Sequence, residues 1–137
     1  ENIYNHHYKL KNINTKSKIN KINKLISKHE EELANPILDY FEHSKNIKLI
    51  GKSKIINKNR APTISFTSRN VTSKTLSEIL VANNIATRND NFYAWRCLNA
   101  LGIDTKDGVV RISLTHYNKK EEVNKLIDVF EKNSRYL

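Results

Sequence analysis

The stretch VVRISLTHYN, residues 109–118, decides the fold that the sequence predicts for this chain. The apolar residues Val110, Ile112 and Leu114 alternate with the polar residues Arg111, Ser113 and Thr115. A period of two is typical of a β-strand with one buried face, so Arg111 is expected on the face opposite Val110. Asn118 follows with Glu121 three residues later, which predicts an Asn N-cap and a capping box. The stretch therefore predicts a strand that turns sharply into a capped helix.

The guanidinium of Arg111 is the group in this stretch that is best suited to binding a ligand. A strand that leads directly into a helix would hold it with little freedom, and a guanidinium binds a carboxylate or phosphate through two parallel hydrogen bonds. The simpler alternative is an arginine that only faces solvent. On this stretch alone we favour the solvent-facing alternative.

The rest of the chain predicts alternating helices and strands. Apolar residues at steps of three and four predict a long helix from Thr15 or Ser17 to near Ser44, and Pro36 is expected to kink or split it. Further patterns predict strands and helices as follows: strands at 47–50, 63–67 and 85–88, and helices at 73–83, 92–101 and 119–133. Residues 1–14 show no clear period and are expected to be a loose tail or the end of a preceding element.

The order of these elements predicts the fold class. The connections are short, so we expect a two-layer α+β (α/β) domain over residues 15–137. Its small, mostly antiparallel sheet should have about four strands with helices on one face, preceded by the long helix. A chain of 137 residues is long enough for one such domain with a real core.

Composition limits the possible partners. The net charge of +10 suggests a basic module that binds nucleic acid or an acidic surface, through residues 16–28 and the loop at 52–60. The excess of Lys, Asn and Ile is also what an A/T-rich coding sequence produces, so we do not expect nucleic acid as a partner. No metal site is expected, since the adjacent His6 and His7 point apart and no partner has suitable spacing.

Composition also bears on location and completeness. No apolar run is long enough to span a membrane. The single cysteine excludes an internal disulfide framework and fits a reducing compartment, which we expect to be the cytoplasm. The chain contains no methionine, which predicts that it is a C-terminal piece of a longer protein.

Three sequence blocks in one order resemble a known family. They are RxPTISF at residues 60–66, IATRx₅A at 85–94 and VVRISLxHYNxxEEV at 109–123. Together they look like the C-terminal small domain of class V aminotransferase-fold enzymes, which have fold type I and use pyridoxal phosphate. The most similar subgroup is the cysteine desulfurase-like proteins, and the resemblance runs from about Lys18 to Lys132.

The resemblance implies a homodimeric enzyme that acts on an amino-acid substrate. It implies that pyridoxal 5'-phosphate and its Schiff-base lysine belong to a large domain that precedes this one. No catalytic residue is then expected here, the cofactor contacts of this chain are unknown, and the fragment alone is inert. The small domain would close over the substrate, and Arg111 would bind the substrate α-carboxylate. Arg88 and Tyr93 are the other expected substrate-binding residues.

The sequence departs from the family pattern at Tyr93. The resemblance implies a catalytic cysteine five residues after Arg88, and Tyr93 stands there. A tyrosine cannot accept a sulfane sulfur as a thiolate does, so persulfide chemistry is not expected at this position. Tyr93 could line the substrate pocket or simply pack, and a degenerate family member kept for a partner interaction is a further alternative.

Cys97 and two other side chains near these blocks have simpler interpretations. Cys97 should lie one helical turn after Tyr93 on the same face, where it could replace the missing thiol. A small buried hydrophobic residue is the alternative that we favour for Cys97. His116 and Asn118 are expected to be structural, with Asn118 as the helix cap.

Overall fold

The computed structural model describes residues 2–8, 13–56 and 60–137. In chain order its elements are α1 (Asn2–His7), α2 (Thr15–His43), β1 (Ile47–Ile50), β2 (Thr63–Ser68), α3 (Ser73–Ala82), β3 (Arg88–Asp90), α4 (Trp95–Ala100), β4 (Val109–Ser113) and α5 (Lys120–Lys132). The strands form one four-stranded sheet in the order β1-β2-β4-β3, with every neighbouring pair antiparallel. The predicted α+β fold is confirmed.

The core lies between one face of the sheet and helices α2, α3 and α5. Phe66 of β2 and Val110 of β4 are fully buried in a single apolar cluster with residues of these three helices. The rings of Phe41, Phe66 and Phe130 lie 4.5 to 5.7 Å apart at its centre. Each buried phenylalanine contributes about 1.5–3 kcal/mol to folding. This packing covers one face of the sheet and leaves the other face, called here the open face, mostly to polar residues of the strands, with Ile50 and the buried Val109 among them.

The long helix α2 is continuous through Pro36, so of the two predicted effects of the proline, a kink or a split, the split is wrong. Asn14 caps the helix by accepting a hydrogen bond of 2.9 Å from the backbone N–H of Ser17. An internal proline removes one helical hydrogen bond and costs about 3 kcal/mol. Leu33 and Ile37, on either side of Pro36, are fully buried in the core. Their burial holds the helix together across the proline.

The apolar stripe of α2 reaches the core only in its second half. The buried residues of the helix begin at Leu33, whereas Ile19 is 52% exposed. The sequence pattern predicted a continuous stripe because periodicity shows which residues share a helix face and not what covers that face.

The N-terminal residues contain helix α1, so a loose tail is the wrong description of residues 2–7. Tyr4 is 1% exposed, and its ring stacks with that of Tyr8 at 5.2 Å. The ammonium groups of Lys18 and Lys21 in α2 lie over these two rings, at 5.4 and 5.1 Å from the ring centroids. These cation–π contacts attach α1 and the following residue, Tyr8, to the first half of α2.

The third strand and the following helix differ from their predicted bounds. Asn84 has a φ of 57°, and Ile85 donates its backbone N–H to the carbonyl of Leu80, so Ile85 closes the end of α3 and does not start a strand. Strand β3 therefore begins only at Arg88. The predicted strand at 85–88 is correct only in its last residue.

The final helix also begins later than predicted. Its N-cap is Lys119 and not Asn118, because the backbone N–H of Lys119 donates to the Glu122 carboxylate at 2.8 Å. The sequence contains two adjacent glutamates, so a shift of one residue gives the same capping-box pattern with the second of them. Within the described residues no helix is both long and apolar enough to cross a membrane.

Candidate functional site

A row of four side chains crosses the open face of the sheet. The strand register places Ile50 opposite Ser65, Ser65 opposite Arg111, and Arg111 opposite Arg88. Directly opposite residues share one face of a sheet, and Arg111 lies on the face opposite the buried Val110. We call Ile50, Ser65, Arg111 and Arg88 the arginine row.

The two arginines are an unusual pair because like charges directly opposite each other destabilise a sheet. The ion pairs among the described residues join only lysines to glutamates, and neither guanidinium takes part in a side-chain hydrogen bond there. Asp90 stands two residues after Arg88 on the same strand, but its carboxylate accepts the backbone N–H of Asn91 at 2.7 Å. The centre of the open face is therefore positively charged and suited to an anion.

Arg111 is the more restrained of the two arginines. It is half-buried, whereas Arg88 is exposed. Its guanidinium carbon lies 4.3 Å from the centroid of the Phe92 ring, within the range of a cation–π contact. Phe92 belongs to the segment between β3 and α4, so this segment covers part of the row.

The backbone conformation of residues 91–94 turns the side chain of Phe92 towards Arg111 and exposes the side chain of Tyr93 to solvent. Phe92 and Tyr93 have φ values of 51° and 59°, the left-handed region that non-glycine residues seldom adopt. Asn91 stabilises the turn, since its side-chain oxygen accepts the N–H of Tyr93 at 2.9 Å and its carbonyl accepts that of Ala94 at 2.8 Å. Phe92 is consequently half-buried against Arg111, and Tyr93 is 97% exposed.

The start of β4 is fixed by close packing and a shared cap. Gly108 has a φ of 73°, and a Cβ there would lie 2.3 Å from the carbonyl carbon of Asp90. The carboxylate of Asp107 accepts the backbone N–H of Ser73 at 2.9 and 3.1 Å, and the Ser73 hydroxyl donates to the Asp107 carbonyl. These contacts hold the start of β4 against β3 and against the start of α3. They therefore fix the position of Arg111 along the strand relative to β3.

Arg60, the first residue of the RxPTISF block, lies outside the arginine row. Its guanidinium donates to the carbonyl of Thr63 at 2.9 Å and also to those of Lys52 and Ala61. Burial lowers the pKa of this guanidinium. With its donors directed at backbone carbonyls, Arg60 holds the loop before β2.

The structure changes the interpretation of Tyr93 and Cys97. Helix α4 begins at Trp95, so Tyr93 is not on the helix that carries Cys97, and the prediction that they share a helical face is wrong. Cys97 is exposed, so the favoured alternative of a buried hydrophobic residue is also wrong. The sequence pattern failed here because the consecutive left-handed residues delay the helix.

Asn118 fixes the turn after β4. Its side-chain oxygen accepts the backbone N–H of Thr115 at 2.8 Å, and its own carbonyl accepts a hydrogen bond of 2.9 Å from Nε2 of His29. Its side-chain amide donates to the Glu122 carboxylate at 3.1 Å. His116 is exposed and contacts the ring of Tyr117.

Sequence reasoning did not identify Phe92 as a neighbour of Arg111. The residue lies between Arg88 and Tyr93, both of which were predicted, but no spacing pattern distinguishes it from a core aromatic. Its position depends on a positive φ that a phenylalanine rarely adopts. The available signal was only its place within a segment that the family resemblance marked as functional.

Comparison with known proteins matches this chain to one family. Residues 14–126 match the model of the family described as Aminotransferase class-V. The aminotransferase-like protein FGM3 of Gibberella zeae is 32% identical over 107 residues, which cover 77% of this chain and 27% of that protein.

Solved structures of similar fold agree with the sequence match. A cysteine desulfurase from Thermococcus onnurineus NA1 superposes with a TM-score of 0.72 at 25% identity, over 88% of this chain and 30% of that one. The cysteine desulfurase CsdA of Escherichia coli gives 0.67 at 20% identity, over 81% of this chain and 26% of that one. The chain thus spans less than a third of the length of these relatives. Because the family match covers most of its residues, the chain belongs to the class V aminotransferase family.

Proposed function

We propose that this chain is the substrate-closing, C-terminal domain of a pyridoxal-phosphate enzyme that acts on an amino acid and that it is inert alone. The observation that carries the proposal is the pair of opposite arginines, Arg111 and Arg88, on the open face of the sheet. Two cations that form no ion pair with any described residue favour an anionic ligand in such a position. The carboxylate of an amino acid is the anion that all substrates of such an enzyme share.

Arg111 is the residue that we assign to the α-carboxylate. Its guanidinium can donate two parallel hydrogen bonds, which fix both the position and the plane of the carboxylate. Fixing the carboxylate orients the bonds at the Cα of the substrate, and such orientation is a large part of the rate enhancement in reactions of this kind. Its half-burial strengthens these hydrogen bonds relative to those of an exposed arginine.

The arginine row fits the substrate rather than the aldehyde of the cofactor. It offers two guanidinium groups and one hydroxyl but no amine, so it cannot form a Schiff base. Pyridoxal phosphate supplies the electron sink when it is bound. We assign its lysine and most of its phosphate contacts to a preceding large domain, a proposal supported by the much greater length of the relatives.

Arg88 and Tyr93 complete the proposed substrate site. Arg88 adds a second positive charge beside Arg111, which raises the local concentration of anionic substrate. Tyr93, at 97% exposure, is available to contact a substrate or the preceding domain. It carries no thiol, so the reaction that we propose for this site does not pass a sulfur atom to residue 93.

Assembly and location complete the proposal. The family resemblance implies a homodimer, and we expect the full-length protein to be one, a state that its mass in solution would test. The exposed single cysteine suits a reducing compartment, and we propose the cytoplasm.

Steady-state kinetics of the full-length, pyridoxal-phosphate-loaded protein test the proposal. The standard L-amino acids serve as probes, and Arg111→Ala should raise KM for the preferred one by about tenfold to a hundredfold, since hydrogen bonds to charged groups contribute about 1.5–3 kcal/mol. Arg135→Ala is the matched control, because it removes the same charge from an exposed position outside the arginine row. An unchanged KM in Arg111→Ala, or a wild type that retains no pyridoxal-phosphate absorbance after free cofactor is removed, would contradict the proposal.

A further inference from the structure

Phe92 makes the only ring contact that the structure gives to Arg111 within the described residues. The guanidinium carbon lies 4.3 Å from the ring centroid, close enough for direct stacking. Stacking occupies one face of the guanidinium and leaves its N–H groups, which lie in the plane, free to donate. The contact therefore restrains the cation without using the donors that a carboxylate would need.

The backbone conformation at Phe92 and Tyr93 is energetically unfavourable. Phe92 and Tyr93 are consecutive left-handed residues, and neither is a glycine. Such residues persist only when their surroundings fix them, and they concentrate at functional sites. Here Asn91 fixes them, by accepting the Tyr93 N–H at 2.9 Å and by donating to the carbonyl of Thr105 at 3.3 Å. These hydrogen bonds hold a backbone conformation that places the ring of Phe92 against Arg111.

The position of Arg111 explains why such a support is useful. Arginine has many rotamers, and Arg111 forms no ion pair or side-chain hydrogen bond within the part of the chain that the structure describes. Without a support, Arg111 would lose this rotamer freedom only when the ligand binds, and the lost entropy would weaken binding. A ring stacked on the guanidinium reduces that cost in advance.

We propose that Phe92 is a positioning residue, which orients the guanidinium of Arg111 by stacking so that its N–H groups are directed at the carboxylate of an amino-acid ligand. The proposal rests on the proposed function of Arg111. It extends that function by assigning to the segment 91–94 the task of pre-orienting the binding group. The aromatic face, rather than apolar cover in general, is the property that matters.

Two kinds of substitution separate these properties. Phe92→Leu keeps an apolar side chain but removes the aromatic face, whereas Phe92→Tyr and Phe92→Trp keep the face. The first measurement is the NMR shift of the Arg111 side-chain protons in the full chain, assigned with Arg111→Lys. Ring currents should move these protons upfield in the wild type and in both aromatic variants, and Phe92→Leu should return them to the usual position of an exposed arginine.

The second measurement is the dissociation constant of the L-amino acid that the loaded full-length protein binds most tightly among the standard ones. Phe92→Leu should weaken binding roughly twofold to fivefold, the range expected for an exposed cation–π contact. Phe92→Tyr or Phe92→Trp should restore it, and the thermal midpoint of each variant shows that the fold is intact.

The outcomes distinguish the two proposals. If Arg111→Ala weakens binding and Phe92→Leu does not, the positioning role of Phe92 is wrong while the function of Arg111 stands. If Phe92→Leu and the aromatic variants weaken binding equally, an aromatic face does not restore the function of Phe92, and the proposal is again wrong. If Arg111→Ala has no effect, or if no amino acid binds, both proposals fall.

Discussion

Glu122 shows how one side chain decides where the last helix begins. Its carboxylate accepts the backbone N–H of Lys119 at 2.8 Å and the side-chain amide of Asn118 at 3.1 Å. The backbone hydrogen bond from Lys119 is the largest cause that lowers the pKa of Glu122, followed by the bond from Asn118. The charged carboxylate therefore stabilises the folded state.

The pH dependence of a Glu122→Gln variant tests this assignment. A lowered pKa in the folded state means that the contribution is complete above the pKa of the unfolded chain and is lost as the pH falls through the folded value. The variant should be less stable than the wild type at pH 7, and the difference should shrink towards acid pH. Urea unfolding of both proteins across this range gives the comparison. A difference that is equal at neutral and acid pH would show that the charge of Glu122 has no role.

The position of a side chain could be predicted where the residues next to it in sequence fix the local backbone geometry. The alternation around Val110 predicted the face on which Arg111 lies, because a strand has a period of two. The position of Phe92 could not be predicted, since it depends on a left-handed backbone that hydrogen bonds from Asn91 stabilise. The helix cap was displaced by one residue because Glu121 and Glu122 both satisfy the capping pattern.

Gly108 shows how two elements are held in register. Its missing side chain lets the start of β4 approach the backbone of Asp90, where a Cβ would be 2.3 Å from the carbonyl carbon. Gly102 has a similar φ of 67°, but a Cβ there would meet nothing within 4 Å. Both glycines thus require a positive φ. Only at Gly108 is there also no space for a Cβ.

Alanine substitutions at these two glycines measure the close approach directly. Both should destabilise the fold by about 1–3 kcal/mol for the left-handed backbone. Gly108→Ala should cost about 1–3 kcal/mol more, because β4 and β3 would have to move apart. Thermal or urea unfolding of the full chain gives both values. Equal effects at the two positions would mean that the contact with Asp90 does not constrain the sheet.

Element bounds were predictable where one pattern dominated and not where two competed. The strands at residues 47–50 and 109–113 and the helix after Thr72 follow their sequence signals. The segment from Ile85 to Ala94 does not, because Asn84 reverses the chain and the residues around Tyr93 delay helix α4. In α2, the burial of Leu33 and Ile37 outweighs the local cost of Pro36.

The charge of the whole molecule is spread rather than concentrated in one binding surface. The net charge is +10, but Lys18 and Lys21 lie over the rings of Tyr4 and Tyr8, and three consecutive glutamates follow in the same helix. Tyr4 is buried, so its ring is not accessible to a base. A basic helix of this kind lacks the accessible aromatic residues that single-strand binding uses.

The spread of charge over the whole molecule leads to a prediction about nucleic-acid binding. We expect no gel shift of duplex or single-stranded DNA by the full chain at low salt. Binding that falls steeply with rising salt, as the release of counterions requires, would contradict this expectation. It would favour the basic module over the enzyme domain, since the substrate proposal needs only the two arginines of the arginine row.

The central claim is that Arg111 recognises a carboxylate, and a paired change of ligand and protein tests it most directly. The dissociation constants of the most tightly bound L-amino acid and of its carboxamide are measured with loaded, full-length wild type, Arg111→Ala and Arg135→Ala. The wild type and Arg135→Ala should prefer the acid by about tenfold or more, since charged hydrogen bonds contribute about 1.5–3 kcal/mol. Arg111→Ala should lose most of this preference. An equal preference in Arg111→Ala and the wild type would contradict the claim.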